Sequence, residues 1–161
     1  MNKHIRFIGL AGVILTLLVQ PLLAGSPPGS YRTYANARFK YSISYPADLL
    51  APQGEAENGD GQVFRAKDGS AEMRVYGGYN AGSETLRGRY EELTRKWGNG
   101  VTYKVIRQDW FVVSATVSGK IHYQKTMLRG DTFKTFEIEY DAERASTYNA
   151  VTARIAKSFQ G

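Results

Sequence analysis

Histidine is the scarcest reactive side chain present in this 161-residue, cysteine-free chain, with only His4 near the start and His122 in the body. An imidazole titrates near neutrality and can accept a proton from a hydroxyl nucleophile. His122 lies in the run 121–127, where period-two alternation sets it on the face opposite Ile121, Tyr123 and Met127. Ser114 or Ser118 with Asp109 would complete a Ser-His-Asp arrangement if folding assembled them, which is the chemistry of a small hydrolase. No Gly-x-Ser-x-Gly elbow is present and Ser118-Gly119 reads as a hairpin turn, so a hydrolase using His122 is the alternative rather than the leading reading. One histidine in the body and no cysteine argue against a zinc enzyme.

Oxygen ligands cluster once, at Glu55, Glu57, Asn58 and Asp60 in the segment APQGEAENGDGQ. Glycine-bearing loops of this kind hold calcium, and Glu57, Asn58 and Asp60 are the candidate ligands. The spacing is not that of an EF-hand, turn chemistry accounts for Asn-Gly-Asp-Gly, and no metal or other cofactor is expected. Nothing marks two of these acids as a glycosidase pair. Gly77-Gly78 and Gly82-Ser83 precede a helical pattern but lack the lysine and glycine order of a phosphate loop, so Ser83 reads as an N-cap. Eleven tyrosines remain, of which Tyr76, Tyr79, Tyr103 and Tyr123 are candidates for exposed rings on an outer sheet face. Tyrosine offers area and a hydroxyl at low entropy cost, which suits contact with protein or glycan.

The elements that must position these groups follow from periodicity. Phe39, Tyr41, Ile43 and Tyr45 alternate with polar residues up to Pro46 and predict a strand with one buried face. Residues 51–62 read as a long loop or hairpin end, and Val63-Phe64 and 71–76 form a hairpin across Asp68-Gly69. Leu86, Tyr90, Leu93 and Trp97 then recur at helical spacing, with charged residues between them and Gly98 and Gly100 closing the helix. Runs at 101–106, 110–117, 121–127 and 133–140 are rich in β-branched and aromatic residues, and their two- or three-residue connections require an antiparallel meander. Asp141 stands ready to cap a last helix with Ala145, Tyr148, Val151, Ile155 and Phe159 on one stripe. Grouped strands with two amphipathic helices predict an α+β fold with a mostly antiparallel sheet of six to seven strands.

The first 24 residues carry an address. Lys3 and Arg6 precede an apolar stretch at 7–19, and Ala24 supplies a small residue for cleavage, the order of a secretory signal peptide. The stretch is shorter than the ~20 residues of a membrane-spanning helix. Cleavage after Ala24 is expected, followed by a flexible leader at 25–36 (GSPPGS at its start) and a single domain at 37–161. The product would be periplasmic or extracellular, without stable membrane insertion, and a monomer. Net charge is +6 overall and +4 once Lys3 and Arg6 are removed, which favours anionic neighbours in the envelope. Lysine and arginine form no run, so nucleic acid is not expected as a partner.

The strand ending in Tyr45-Pro46, the Asn-Gly-Asp-Gly loop at 58–61, the strand 110–114 and the helix end 153–159 resemble small exported bacterial proteins of the PsbP/Mog1-like fold. The likeness runs over roughly 34–159 in element order. It implies a binding module, since better-known members of that fold partner larger assemblies, a photosystem in one case and a small GTPase in another. The leading expectation is therefore a non-enzymatic binding or accessory protein of the cell envelope that recognises a protein or glycan partner.

Overall fold

The computed structural model describes residues 29–161. The expected export signal at 1–24 lies outside them, as does most of the stretch before Tyr31. The described chain begins with a hairpin of β1 (Tyr31–Asn36) and β2 (Tyr41–Pro46). Three further strands follow, β3 (Ala51–Glu55), β4 (Gly61–Arg65) and β5 (Ala71–Tyr79), and then helix α1 (Leu86–Trp97). Four more, β6 (Val101–Ile106), β7 (Trp110–Val117), β8 (Lys120–Arg129) and β9 (Thr132–Asp141), lead to helix α2 (Ala145–Ser158).

Strands β3 to β9 form one antiparallel sheet in the order β3-β4-β5-β9-β8-β7-β6. After β5 the chain crosses through α1 to the far edge, and the expected meander returns until β9 lies against β5, from Ala71↔Tyr140 to Tyr79↔Thr132. Alternation sorts the side chains between two layers. Met73, Val75, Phe136 and Ile138 pack beneath α2 and the β1–β2 hairpin. On the opposite face Phe111, Val113 and Phe133 pack beneath Leu86 and Leu93 of α1. Each such buried side chain contributes ~1.5–3 kcal/mol of transfer free energy. No helix among the described residues is long and apolar enough to cross a membrane.

The structure is α+β as the pattern requires, with two strands more than the periodicity shows. Residues 31–36, expected as the end of a flexible leader, form β1 and pair in register with β2, from Tyr31↔Pro46 to Asn36↔Tyr41. Most of β1 faces solvent, so YRTYAN shows little alternation. It is held by tertiary contacts, including the Arg154 guanidinium 3.7 Å above the Tyr31 ring. Residues 51–55, expected as part of a loop or hairpin end, form edge strand β3 paired with β4, where Pro52 and Gly54 are tolerated because only one side of the strand is paired. The helix starts also shift. Thr85, not Ser83, caps α1 through its hydroxyl to Gly88 N–H (2.9 Å), while Ser83 has a positive φ of 53°. Asp141 ends β9 and pairs with Lys120 (3.1 Å) instead of capping α2.

Candidate functional site

The sheet places His122 on the α1 side of β8, in a row with Glu139 of β9 and Glu72 of β5 set by the registers His122↔Glu139 and Glu72↔Glu139. The next row holds Gln124, Glu137 and Arg74. Helix α1 stops short of this part of the sheet and leaves a cleft of about 400 Å³, closed at one end by Lys96 and Trp97. The Trp97 ring lies 5.7 Å from the imidazole, and Glu139 Oε2 is 3.6 Å from His122 Nδ1. Burial pushes the Glu137 carboxyl above the usual carboxylate range, with Arg74 and Lys96 opposing the shift. Burial acts on Glu72 in the same direction, but hydrogen bonds from Arg65 and Arg74 outweigh it and hold that carboxyl low.

The Ser-His-Asp arrangement does not assemble. Ser114 points to the α2 side and donates to the His122 backbone carbonyl (3.0 Å), not to the imidazole. Ser118 sits in the β7–β8 turn with a φ of 51°, and Asp109 is paired with Arg129. Alternation along β7 and β8 decides this, since Ser114 and His122 project from opposite faces of the sheet. The cleft around His122 thus gathers proton-transfer groups without a serine, threonine or cysteine nucleophile in its lining.

A second concavity lies on the other side of the sheet. Helix α2 covers β8 and β9 but not β6 and the outer part of β7, and the uncovered strip forms a groove of about 600 Å³. Tyr103, Trp110 and Tyr123 supply its rings, while Lys125, Asn149 and Lys157 stand along the helix side. Tyr103 is 57% exposed. Burial pushes the Tyr123 hydroxyl up to about 12. Lys125 Nζ donates to the Ala156 carbonyl at the end of α2 (2.8 Å) and lies 5.9 Å from the Trp110 ring centre.

No family model and no curated protein matches this chain. Among solved structures, it is similar to the solution structure of cyanobacterial PsbP (CyanoP) from Synechocystis sp. PCC 6803. The TM-score is 0.59 over 84% of this chain and 95% of that one, at 13% identity. The fold is PsbP-like. A structure from Bacteroides thetaiotaomicron VPI-5482 gives a TM-score of 0.50 at 13% identity over 83% of this chain, which spans about half (48%) of the length of that protein. Identity at this level speaks for the fold alone.

Within the PsbP-like fold the four candidate tyrosines do not share a surface. Tyr103 and Tyr123 meet in the groove. Tyr76 lies on the opposite face in a shallow concavity with Glu137 and Arg74, and Tyr79 packs at a tilt against Phe39 at the end of β5 with 60% of its area exposed. The reason is again alternation, together with the distance between β5 and β6 across the sheet. Trp110, Lys125 and Asn149 are not among the candidate site residues of the sequence. The Trp110-Phe111 pair carried a signal, because adjacent bulky residues on one strand must face opposite layers and only one of them can lie under α1.

The acidic loop is held by its own bonds. Glu55 accepts from the Tyr34 hydroxyl (2.8 Å) and the Asn36 amide (2.9 Å), Asn58 donates to Asp60 (2.7 Å), and Arg38 donates to the Asn58 carbonyl. Glu57 is exposed next to these groups. Among the described residues no three His, Cys, Asp or Glu side chains stand close enough together to hold a metal ion. Gly77 belongs to β5, where it faces the Phe39 ring, rather than to a loop at a helix start.

Proposed function

We propose that this chain is an exported, non-enzymatic binding or accessory protein of the cell envelope, acting as a monomer and recognising a protein or glycan partner through the groove between α2 and β6. The observation that carries the reading is the exposed Tyr103 beside Tyr123 and Trp110 in an open concavity that neither helix covers. Aromatic rings at the centre of a concave patch are the usual anchors of recognition. The composition of residues 1–24 supports export, and the net positive charge suits an anionic envelope.

The chain's two tryptophans report on the two concavities separately, Trp110 from the groove and Trp97 from the cleft. In an NMR titration of the protein with fractionated envelope glycans and proteins, the Trp110 indole N–H resonance should move and that of Trp97 should stay. Tyr103→Ala should weaken that binding about tenfold or more. Fractions that leave Trp110 unmoved throughout would end the proposal.

One observation favours a second reading, a hydrolase using His122. The partly buried Glu137 with its raised pKa stands one row from the His122–Glu139 pair in the cleft, and displaced carboxyl pKa values are a mark of acid–base sites. Glu137→Gln separates chemistry from packing. Because the folded protein favours the protonated carboxyl, wild-type stability falls as pH rises from the ordinary value of 4.5 through the higher folded value. The variant should therefore unfold at higher denaturant than wild type at pH 7, with the gain gone by about pH 4. Screened against envelope polymers, wild-type turnover that this variant abolishes would establish the hydrolase, and absence of any turnover would remove it.

A further inference from the structure

The same groove has an electrostatic character that narrows its occupant. Its lining contains Lys125 and Lys157 and no aspartate or glutamate. Lys125 is half-buried, and no carboxylate among the described residues pairs with it. Burial lowers its pKa, and the neighbouring charge that acts on it, Arg129, is of the same sign and adds to that shift. An ammonium group carries three donors, and the bond to the Ala156 carbonyl engages one of them. The negative end of the α2 dipole supplies only about half a charge, and Lys125 and Lys157 both lie at that end. Positive charge is therefore left over in a place where water is partly excluded, and a bound anion would relieve it.

The uncharged part of the lining alternates rings with small polar groups. Ser114 and Thr116 stand on the strand that carries Trp110, and Asn149 accepts from the Tyr140 hydroxyl through its carbonyl (2.7 Å), which leaves its amide N–H groups to donate. Sugar rings offer apolar C–H faces that lie flat on aromatic rings, and hydroxyls at their edges that pair with such groups. We infer that the groove takes an acidic oligosaccharide, with a carboxylate against the ammonium groups of Lys125 and Lys157 and sugar faces against Tyr103, Tyr123 and Trp110. This assignment rests on the groove being the recognition site and adds the charge and class of what it recognises.

A short oligogalacturonate and its methyl ester test the charge without altering the protein, since esterification removes the carboxylates and keeps the sugar. Calorimetry should show the acid binding at least about tenfold more tightly than the ester, with the Trp110 indole shifted. The advantage should shrink as salt is added. Lys125→Met, which keeps the apolar stem, and Lys157→Met should each cut binding of the acid several-fold and leave binding of the ester unchanged. Equal affinity for acid and ester at Trp110 would overturn the anionic assignment while the recognition groove stands. A Trp110 shift with poly-glutamate or anionic lipid vesicles, and none with either sugar, would overturn the glycan assignment and likewise keep the groove. An unmoved Trp110 with the oligogalacturonate, alongside a Trp110 that responds to envelope fractions, would also sink the inference alone.

Discussion

Replacing Phe136 with alanine should lower the unfolding free energy by about 3–5 kcal/mol, the range for deleting a fully buried aromatic ring. Phe136 sits on β9 at the middle of the sheet, has no solvent exposure, and pairs in register with Val75 on one side and Lys125 on the other. Its ring lies 5.8 Å from Tyr123 and 6.1 Å from Phe159, so it supports both the groove floor and the end of α2. Against a total stability of ~5–15 kcal/mol for a domain of this size, such a loss is a large share. Urea unfolding followed by circular dichroism measures it, and an unchanged slope with a lower midpoint would show that the cavity alone is responsible. A loss below about 1 kcal/mol would mean that the layer beneath α2 is not the main core. Any binding at Trp110 should weaken in the same variant, because Tyr123 loses the ring it leans on.

Gly61→Ala should be the most damaging of the glycine substitutions in the β3–β4 turn. A Cβ at position 61 would lie 2.0 Å from the Val75 carbonyl oxygen and 2.8 Å from Tyr76 Cα, both backbone atoms of the paired strand β5. Neither can move without separating β4 from β5. The cost should reach or exceed the ~1–3 kcal/mol typical of overpacking. Gly59 offers a contrast in mechanism: its φ is 66° with open space around it, so Gly59→Ala should cost only the ~1–2 kcal/mol of a left-handed backbone. Thermal melts of the two variants decide the order. If Gly59→Ala proved the more harmful, the close approach of β4 to β5 would be wrong.

The contrast between these glycines shows where the sequence was readable. Asn-Gly-Asp-Gly announced a turn, and Gly59 has the positive φ that such a pair permits. Gly61 looks the same in the string, yet its role comes from a strand that begins ten residues later. The same division runs through the sites. The alternation that put His122 opposite Tyr123 was visible, and it holds. What faces His122 was not visible, because Glu139 comes beside it only through the β8–β9 pairing, and Glu72 joins the same row only through the β5–β9 pairing. Strands β1 and β3 leave no periodic mark in the sequence because each is largely exposed, and an exposed strand needs no apolar alternation.

By itself the amino-acid string determined the local elements of this protein: an antiparallel meander from β6 to β9, two helices with one apolar stripe each, and the sidedness of residues along β7 and β8, whereas the irregularity between Val101 and Tyr103 in β6 was set by its pairing with β7. These depend on neighbours two to four positions apart, which short-range sterics and the contrast between core and water suffice to set. Only the tertiary structure decided that β5 would lie against β9, that the two helices would cover opposite faces, and that each would stop short of the sheet's width. Both concavities exist because of that incomplete cover. Pairing between strands some sixty residues apart is chosen by the packing of whole layers against the entropy of closing the chain, and no short stretch of sequence records that balance.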